Sequence, residues 1–518
     1  MLLNVVAETP DAIAIVDQDR AYTYSELLRQ SSNLAVVMQN EGLRNGDRIG
    51  IFLDKSWNAL VSLMAVVQAG GVFVNINPLL KAPQVLHIIQ DCGIRWLVTD
   101  AALSWDGFEP FDITFTVGDA VKDGPPSKKK FVLSEVLQQE TEETVKSDIV
   151  ETDLATIIYT SGSTGKPKGI MITHHNLVVG AQIVSVYLEN RASDRVLSVL
   201  PFNFDVGLNQ FTTMLRVGGT LVLQRSLMPG DILKGLRQHR ITGLAGVPGV
   251  WALIAQNRKS LSKEPLTDLR YISNTGGMIP QPLLEQLFSL LPHTKLYLMY
   301  GLTEAFRSTF CPPEEAPKRG SGCIGKAIPN TRICVVDEHG RETLPDEVGE
   351  LIHVGPTVAM GYWGAPEKTD KAYRINPLAP PEKLGRDIAV YSGDLVRRDK
   401  DGYLYIIGRR DEQIKTQGYR VSPYEIEELL QSTGMVYEAA AFGKKDPSLG
   451  QRIIAVVSLK PSITEDGAAE SIRRACAESA PSHLIPQEIV ILKELPKNSN
   501  GKIDREKLRD GYATETGK

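Results

Sequence analysis

The sequence predicts an α/β protein with a large N-terminal domain, in which layered α/β subdomains adjoin a β-rich subdomain, and a small α+β C-terminal domain. Three observations lead to this fold class. Short apolar runs alternate with helical patterns before Gly320, and hairpin signals dominate after it. A polar, glycine-flanked stretch from Gly408 to Gly418 then precedes a last compact segment.

The first layer comes from alternating elements at the start of the chain. Apolar residues at helical spacing predict helices over Tyr24 to Gln39, Trp57 to Gly70 and Pro83 to Cys92. Short β-like runs predict strands over Asp47 to Leu53 and Arg95 to Thr99. This alternation is typical of a layered α/β domain.

The segment from Gly118 to Thr152 interrupts this alternation. It contains turn-forming residues, the run Lys128 to Lys130 and an acidic QQETEET stretch. This composition predicts a surface excursion in which the lysines are solvated.

Strand and helix patterns resume at Leu154. The apolar runs ATIIYT, RVLSVLPF, GTLVLQ, ITGLAGV, RYISNT and KLYLMYG mostly end in small or polar residues. Ligands of an open parallel sheet bind where the strands end, so we expect the chemistry at these tails. In the last segment, Ser422-Pro423-Tyr424-Glu425 predicts a helix start with Ser422 as its N-cap.

Composition excludes several classes of protein. The 518 residues include 57 Lys and Arg, 62 Asp and Glu and 42% hydrophobic residues, as in a globular protein of two or three domains. The net charge of -5 gives no basic field for a polyanion, so we expect no nucleic-acid partner.

Cysteine usage and the N-terminus indicate the compartment. The five cysteines are scattered, with no C-x-x-C pair, which predicts buried thiols in a reducing cytoplasm. The N-terminus lacks a basic leader, and polar residues interrupt the most apolar stretch, Trp57 to Val74. We expect a cytoplasmic protein without a membrane partner.

The strongest chemical signal is YTSGSTGKPKG, from Tyr159 to Gly169. Its glycines permit close backbone approach, and its hydroxyls, amides and two lysines, Lys166 and Lys168, suit phosphate oxygens. It is not a Walker A loop, because only two residues separate Gly162 from Gly165. We interpret it as a triphosphate-binding loop between a buried strand and a helix, and not as a flexible linker.

Four further motifs follow in order. In YGLTE, Tyr300 to Glu304, an aromatic ring suits a base, a threonine suits a phosphate and a glutamate suits Mg²⁺. YSGDL, Tyr391 to Leu395, and GRRD, Gly408 to Asp411, offer a carboxylate for ribose hydroxyls and guanidinium groups for sugar or phosphate. Near the end, PKNSNGKIDR places Lys502 after a glycine in a loop.

Together and in this order, the motifs resemble those of the adenylate-forming (ANL) superfamily, which includes acyl-CoA synthetases, peptide-synthetase adenylation domains and firefly luciferase. The resemblance covers essentially the whole chain. It implies a ligase that uses ATP and Mg²⁺ to convert a small carboxylic acid into an acyl-AMP with release of pyrophosphate. It also implies an N-terminal domain over 1–410 and a mobile C-terminal lid over 411–518, with a hinge at Asp411.

The resemblance implies a role for each motif residue. Phosphate contacts would come from Thr160, Ser161, Gly162, Ser163, Thr164, Gly165, Lys166 and Lys168. Adenine would lie between Tyr300, Gly301 and the pair Gly276 and Gly277. Thr303 would contact the α-phosphate and Glu304 the metal. Asp394 would bind the ribose with help from Arg409, and Lys502 would bridge the carboxylate and the α-phosphate.

The acid pocket has less specific signals. The resemblance puts Phe204, Asp205, Gly301 and Phe306 at its walls. Asp205 matches the aspartate that holds the α-amino group in peptide-synthetase adenylation domains, which favours an amino-acid substrate. The alternative is that Asp205 caps a helix beginning at Val206. Bulky side chains near the pocket favour a compact acid over a long fatty acid.

The acceptor of the acyl group stays open between three classes. The leading prediction is an acyl-CoA ligase with a CoA or pantetheine thiol as acceptor, in which Gly418 lies on the loop that lines the thiol tunnel. The chain is also similar to exosortase-associated predicted acyl-CoA ligases and to coronafacate-ligase-type enzymes, which join the acid to an amino acid. A third possibility is an amino-acid-adenylating enzyme that loads a carrier protein in trans. A catalytically inactive nucleotide-binding scaffold is disfavoured, because all the catalytic motif residues are present.

Overall fold

The computed structural model describes residues 1–100, 104–118, 124–139, 143–160, 167–383, 385, 387–416, 419–446, 449–498 and 502–513. The described residues form the α-helices α1 (Leu2–Glu8), α2 (Tyr24–Asn40), α3 (Trp57–Ala69), α4 (Ala82–Cys92), α5 (Leu133–Leu137), α6 (His174–Tyr187), α7 (Asp205–Val217), α8 (Pro229–Gln238), α9 (Pro248–Gln256), α10 (Arg258–Lys263), α11 (Gln281–Leu290), α12 (Ala316–Arg319), α13 (Pro366–Ala372), α14 (Pro423–Ser432), α15 (Ala468–Ser479) and α16 (Arg505–Ala513).

The strands are β1 (Ile13–Asp17), β2 (Arg20–Thr23), β3 (Arg48–Phe52), β4 (Val72–Asn75), β5 (Trp96–Thr99), β6 (Phe111–Thr116), β7 (Ser127–Val132), β8 (Leu154–Thr160), β9 (Lys168–Thr173), β10 (Arg195–Ser198), β11 (Thr220–Leu223), β12 (Gly243–Gly246), β13 (Tyr271–Asn274), β14 (Lys295–Tyr300), β15 (Thr309–Cys311), β16 (Cys323–Ala327), β17 (Arg332–Val336), β18 (Val348–Val354), β19 (Gly361–Tyr362), β20 (Tyr373–Ile375), β21 (Ile388–Arg398), β22 (Leu404–Arg409), β23 (Ile414–Thr416), β24 (Tyr419–Val421), β25 (Val436–Asp446), β26 (Gly450–Leu459) and β27 (Glu488–Ile491).

These strands form three sheets. The order in the first is β19-β9-β8-β4-β3-β5-β6-β7, and the order in the largest is β17-β18-β21-β22-β16-β15-β14-β13-β12-β10-β11-β1-β2, with β20 beside β21. The third, in the C-terminal domain, has the order β24-β23-β26-β25, with β27 beside β26. The predicted α/β class with a small α+β C-terminal domain is confirmed.

The early helices begin and end close to the predicted positions. α2 covers Tyr24–Asn40 because Thr23 forms a capping box with Glu26, and α3 ends where Gly70 adopts a left-handed conformation. In the largest sheet, β10, β12, β13 and β14 are parallel. Their carboxyl ends therefore meet at one edge, as the apolar runs predict.

The segment from Gly118 to Thr152 is not only a surface excursion, and that prediction is wrong in part. β7 pairs in parallel with β6 at the edge of the first sheet and continues into α5. The three lysines lie on β7 and are exposed, with Lys128 2.9 Å from Asp112. An edge strand can carry this charge because one side of it faces solvent.

The cysteines are buried, as the sequence predicts. All five cysteines are free and buried. Across the described part of the chain, no helix combines the length and the apolar character needed to cross a bilayer.

One buried ion pair joins α14 to α16 in the C-terminal domain. Arg505 contacts the Glu427 carboxylate with both guanidinium nitrogens, at 2.5 and 2.6 Å, and Glu427 also accepts the backbone N–H of Ala441 at 2.7 Å. The Glu427 side chain is 9% exposed. This pair fixes the start of α16, directly after the loop that carries Lys502.

We expect Arg505→Ala to lower the free energy of unfolding by about 3 kcal/mol, because it leaves the Glu427 carboxylate buried without its cation. Urea unfolding followed by circular dichroism measures this change. Arg474→Ala is the matched control, since Arg474 is an exposed arginine on α15. A loss no larger than that of the control would show that the pair contributes no more than a surface contact.

Candidate active site

A cavity of about 1100 Å³ lies at the carboxyl edge of β13 and β14. Its walls come from both the N-terminal domain and the C-terminal domain. Predicted site residues that line it are Thr160, Lys168, Phe204, Asp205, Gly276, Gly277, Tyr300, Gly301, Thr303, Glu304, Asp394, Arg409, Asp411 and Lys502. Residues from five separated motifs therefore share one cavity.

A tyrosine, an aspartate and an arginine form one side of this cavity. The Tyr300 hydroxyl donates to one oxygen of Asp394, and the Arg409 guanidinium lies 3.3 Å from the other. Burial raises the pKa of the Asp394 carboxyl, and the positive charge of Arg409 opposes this shift. Asp394 is thus a buried acceptor held in a fixed orientation.

Lys168 and Glu304 form a second cluster with Tyr362. The Lys168 ammonium lies 3.0 Å from both the Glu304 Oε1 atom and the Tyr362 hydroxyl, which in turn donates to the same Oε1 at 2.8 Å. Sequence reasoning missed Tyr362, because its motif, Gly361-Tyr362-Trp363, has no polar pattern that distinguishes it from packing residues. Antiparallel pairing of β19 with β9 brings it beside Lys168.

The arrangement at Glu304 fits a divalent cation. Both hydrogen bonds that the Glu304 carboxylate receives from described residues end on Oε1, so Oε2 keeps its coordinating capacity. Within those residues no group of three or more His, Cys, Asp and Glu side chains forms a ready metal cage. A single carboxylate is the arrangement expected when nucleotide phosphates supply the remaining oxygen ligands of Mg²⁺.

The predicted phosphate loop joins two strands. Thr160, at the end of β8, pairs with Lys168, at the start of β9, in an antiparallel register. The helix that follows the loop, α6, begins at His174, and β9 separates it from the loop. The loop residues Ser161, Gly162, Ser163, Thr164, Gly165 and Lys166 lie outside the described residues, as does Gly418.

Lys502 reaches the cavity from the C-terminal domain. Its Cε atom lies 3.0 Å from the position that a Cβ on Gly276 would occupy, and Gly276 has a φ of +74°. A Cβ at Gly276 would therefore push the end of the Lys502 side chain aside by a few tenths of an ångström. Burial lowers the pKa of the Lys502 ammonium, and the carboxylates of Asp205 and Asp394 oppose the shift.

The residues predicted for the acid pocket separate into two groups. Phe204 and Asp205 line the cavity, with the Phe204 ring 5.8 Å from the Lys502 ammonium. Gly301 also lines the cavity. A Cβ on Gly301 would lie 3.3 Å from the Cα atom of Arg307, so the two backbones are close together. Phe306 is fully buried in the core and is not among the residues that line the cavity.

Asp205 does not cap a helix that begins at Val206, so that alternative is wrong. α7 begins at Asp205 itself, Phe204 occupies the N-cap position, and no side-chain capping bond forms. The Asp205 carboxylate instead accepts the adjacent Val206 N–H at 2.9 Å and lies 4.0 Å from the guanidinium of Arg307. Sequence reasoning missed Arg307, although it follows YGLTE by only three residues.

Two family models match the chain. The AMP-binding enzyme model matches residues 2–363, and the model of the AMP-binding enzyme C-terminal domain matches residues 425–502. The chain belongs to the AMP-binding enzyme family. These matches confirm the predicted membership of the adenylate-forming superfamily.

Curated relatives of this AMP-binding enzyme are peptide synthetases. Bacitracin synthase 3 of Bacillus licheniformis is 30% identical over 511 residues, which are 98% of this chain and 8% of that synthase. Gramicidin S synthase 2 of Brevibacillus brevis is 29% identical over 506 residues, 97% of this chain and 11% of the relative. The chain thus spans only a small part of the length of either one.

Solved structures similar to this AMP-binding enzyme match it over nearly the whole of both chains. ATP-bound MatB from Rhodopseudomonas palustris has a TM-score of 0.87 and 26% identity, with 99% of each chain covered. The o-succinylbenzoate CoA synthetase MenE from Bacillus subtilis, in complex with its acyl-adenylate intermediate, has a TM-score of 0.81 and 26% identity, with 98% of this chain and 97% of MenE covered. MenE has also been solved with ATP and a magnesium ion.

Proposed function

We propose that this protein is an ATP-dependent carboxylic acid ligase that forms an acyl-AMP, releases pyrophosphate and transfers the acyl group to a CoA or pantetheine thiol. The observation that carries this proposal is the position of Lys502. This lysine enters, from the C-terminal domain, a cavity that also holds the Lys168–Glu304 pair and the Tyr300–Asp394–Arg409 group. These are the groups that an attack of a carboxylate on a nucleotide requires.

The nucleotide would occupy the cavity in a defined orientation. Asp394 would accept the ribose hydroxyls, and Tyr300 would stack on adenine beside Gly276 and Gly277. Thr303 would contact the α-phosphate. Lys168 would contact the β- and γ-phosphates together with Thr160 and the loop that follows it. Mg²⁺, bound at Glu304, would neutralise phosphate charge and orient the leaving pyrophosphate.

In the first half-reaction, a carboxylate oxygen of the acid forms a bond to the α-phosphorus while the bond to pyrophosphate breaks. Both reactants are anions, so the transition state needs positive charge close to the α-phosphate. The Lys502 ammonium would supply it. Because this lysine belongs to the C-terminal domain, that domain completes the site and shields the acyl-AMP from water.

In the second half-reaction, a thiolate attacks the acyl carbon and AMP leaves. The C-terminal domain, residues 411–518, would first rotate about Asp411 relative to residues 1–410 and bring the loop at Gly418 to the acceptor channel. Asp411 is more than half exposed and contacts the Arg409 side chain at 3.3 Å, so a turn there disturbs little packing. The full-length similarity to a named CoA synthetase supports a thiol acceptor.

One alternative is an amino-acid acceptor, and a second is an amino-acid-adenylating enzyme that loads the thiol of a carrier protein. The peptide synthetases among the relatives favour the second. Mass spectrometry of the products distinguishes all three. The purified protein is incubated with ATP, Mg²⁺ and a panel of compact carboxylic acids, together with CoA, a phosphopantetheinylated carrier protein and an amino-acid mixture. We expect an acyl-CoA, AMP and pyrophosphate.

Each other outcome has a definite meaning. An N-acyl amino acid formed without CoA would replace the thiol acceptor by an amine, and an acylated carrier protein would replace CoA by a carrier thiol. Failure of every acid to generate pyrophosphate, from protein that binds ATP, would contradict the proposed ligase activity itself.

A further inference from the structure

A buried arginine lies beside the buried carboxylate of the cavity wall. The side chains of Arg307 and Asp205 are 3% and 5% exposed, and their charged groups approach to 4.0 Å. Asp205 lines the cavity, whereas Arg307 lies behind it. The Arg307 Nε atom is buried and has no hydrogen-bond partner among the described residues.

A strained turn holds this arginine in place. Phe306 has a φ of +54°, in the left-handed region that residues other than glycine rarely adopt, and the Arg307 N–H donates to the Ala305 carbonyl at 2.6 Å. The Phe306 ring packs so closely on α6 that a Cβ on Gly180 would lie 2.7 Å from it. Strain of this kind persists only where the surrounding structure fixes the residue, so the turn keeps the Arg307 side chain inside.

The charges around Asp205 decide which substrates this part of the cavity accepts. A buried carboxylate is stabilised by a cation beside it, and a guanidinium group supplies that positive charge. The Lys502 ammonium adds a second positive charge on the cavity side of Asp205. A substrate ammonium at Asp205 would therefore meet the positive charges of Arg307 and Lys502 as well as the carboxylate.

We propose that Arg307 is a specificity-determining residue that acts through Asp205, supplies the counter-ion of that carboxylate and so restricts the pocket to carboxylic acids without an α-amino group. This inference rests on the proposed function, because it concerns the acid of the same ligase. Arg307 would select among acids, and the acceptor of the acyl group does not depend on it.

Stable sulfamoyl mimics of acyl-AMP test the inference, because their binding requires no turnover. Two matched pairs are used, propanoyl against L-alanyl and 3-phenylpropanoyl against L-phenylalanyl 5′-O-sulfamoyladenosine, and dissociation constants are measured by calorimetry. We expect the wild-type protein to bind at least one amine-free ligand ten or more times tighter than its amino partner. Arg307→Met, which removes the charge and keeps the length, should lower that ratio at least tenfold.

The outcomes separate the inference from the proposed function. If the wild-type protein prefers the amino ligands, or if Arg307→Met leaves the ratio unchanged, the inference is wrong and the ligase assignment stands. If no ligand of either pair binds, the acyl-adenylate site itself is refuted, and the inference with it. Should Arg307→Met fail to fold, the wild-type ratio still decides, and Arg307→Lys, which keeps the positive charge, must preserve the preference.

Discussion

We expect Lys502→Ala to lower acid-dependent pyrophosphate release about a thousandfold while the dissociation constant of ATP changes less than threefold. The reason is electrostatic. Lys502 is the cation that the C-terminal domain brings to the cavity, and it acts on charge that develops between the carboxylate and the α-phosphate. The nucleotide keeps its contacts with the N-terminal domain, so its ground-state binding is largely retained.

Two controls keep this prediction specific. Lys507→Ala removes an exposed lysine of the same terminal region, on α16, and should retain the wild-type rate. Lys502→Ala should also still transfer the acyl group from synthetic acyl-AMP, since the lysine serves the first half-reaction. Near-normal pyrophosphate release by Lys502→Ala would contradict the assignment of this residue.

Replacement of Glu304 is also expected to have a large effect on pyrophosphate release. Glu304→Gln keeps the size of the side chain and removes the charge that faces Lys168 at 3.0 Å and that would hold Mg²⁺. We expect pyrophosphate release to fall about a hundredfold, and the Mg²⁺ concentration that gives half the maximal rate to rise at least tenfold. Magnesium titrations of pyrophosphate release measure both quantities.

The matched control is Glu314→Gln, which alters an exposed glutamate downstream of the motif. It should leave the rate and the magnesium dependence unchanged. If Glu304→Gln loses activity without a shift in the magnesium dependence, Glu304 serves only to position Lys168, and the metal site must lie elsewhere.

The fold and much of the site followed from local pattern. Alternation of apolar runs predicted the parallel strands, and the polar tails of those runs predicted chemistry at the strand ends, where Gly276, Tyr300 and Thr303 line the cavity. The helix at Ser422 was predicted from its cap. These features depend on residues close together in the chain, so they can be seen in the sequence.

The errors came where distant segments interact. Residues 127–132 were predicted as part of a charged surface excursion, because three consecutive lysines hide the apolar alternation of a strand, and an edge strand tolerates such charge. The contact of Lys168 with Tyr362 depends on the pairing of β19 with β9, which no local sequence pattern predicts. Phe306 was predicted at the acid pocket; its backbone is left-handed, and its fully buried ring does not line the cavity described above.

The sequence by itself determined the fold class, the superfamily and the identity of the motif residues, because ordered motifs and apolar periodicity are local properties of the chain. Only the tertiary structure decided what surrounds Asp205. A carboxylate in a sequence is equally suited to a helix cap, a substrate ammonium or a buried arginine. Its actual environment depends on the packing of a strained turn about 100 residues away, at Arg307.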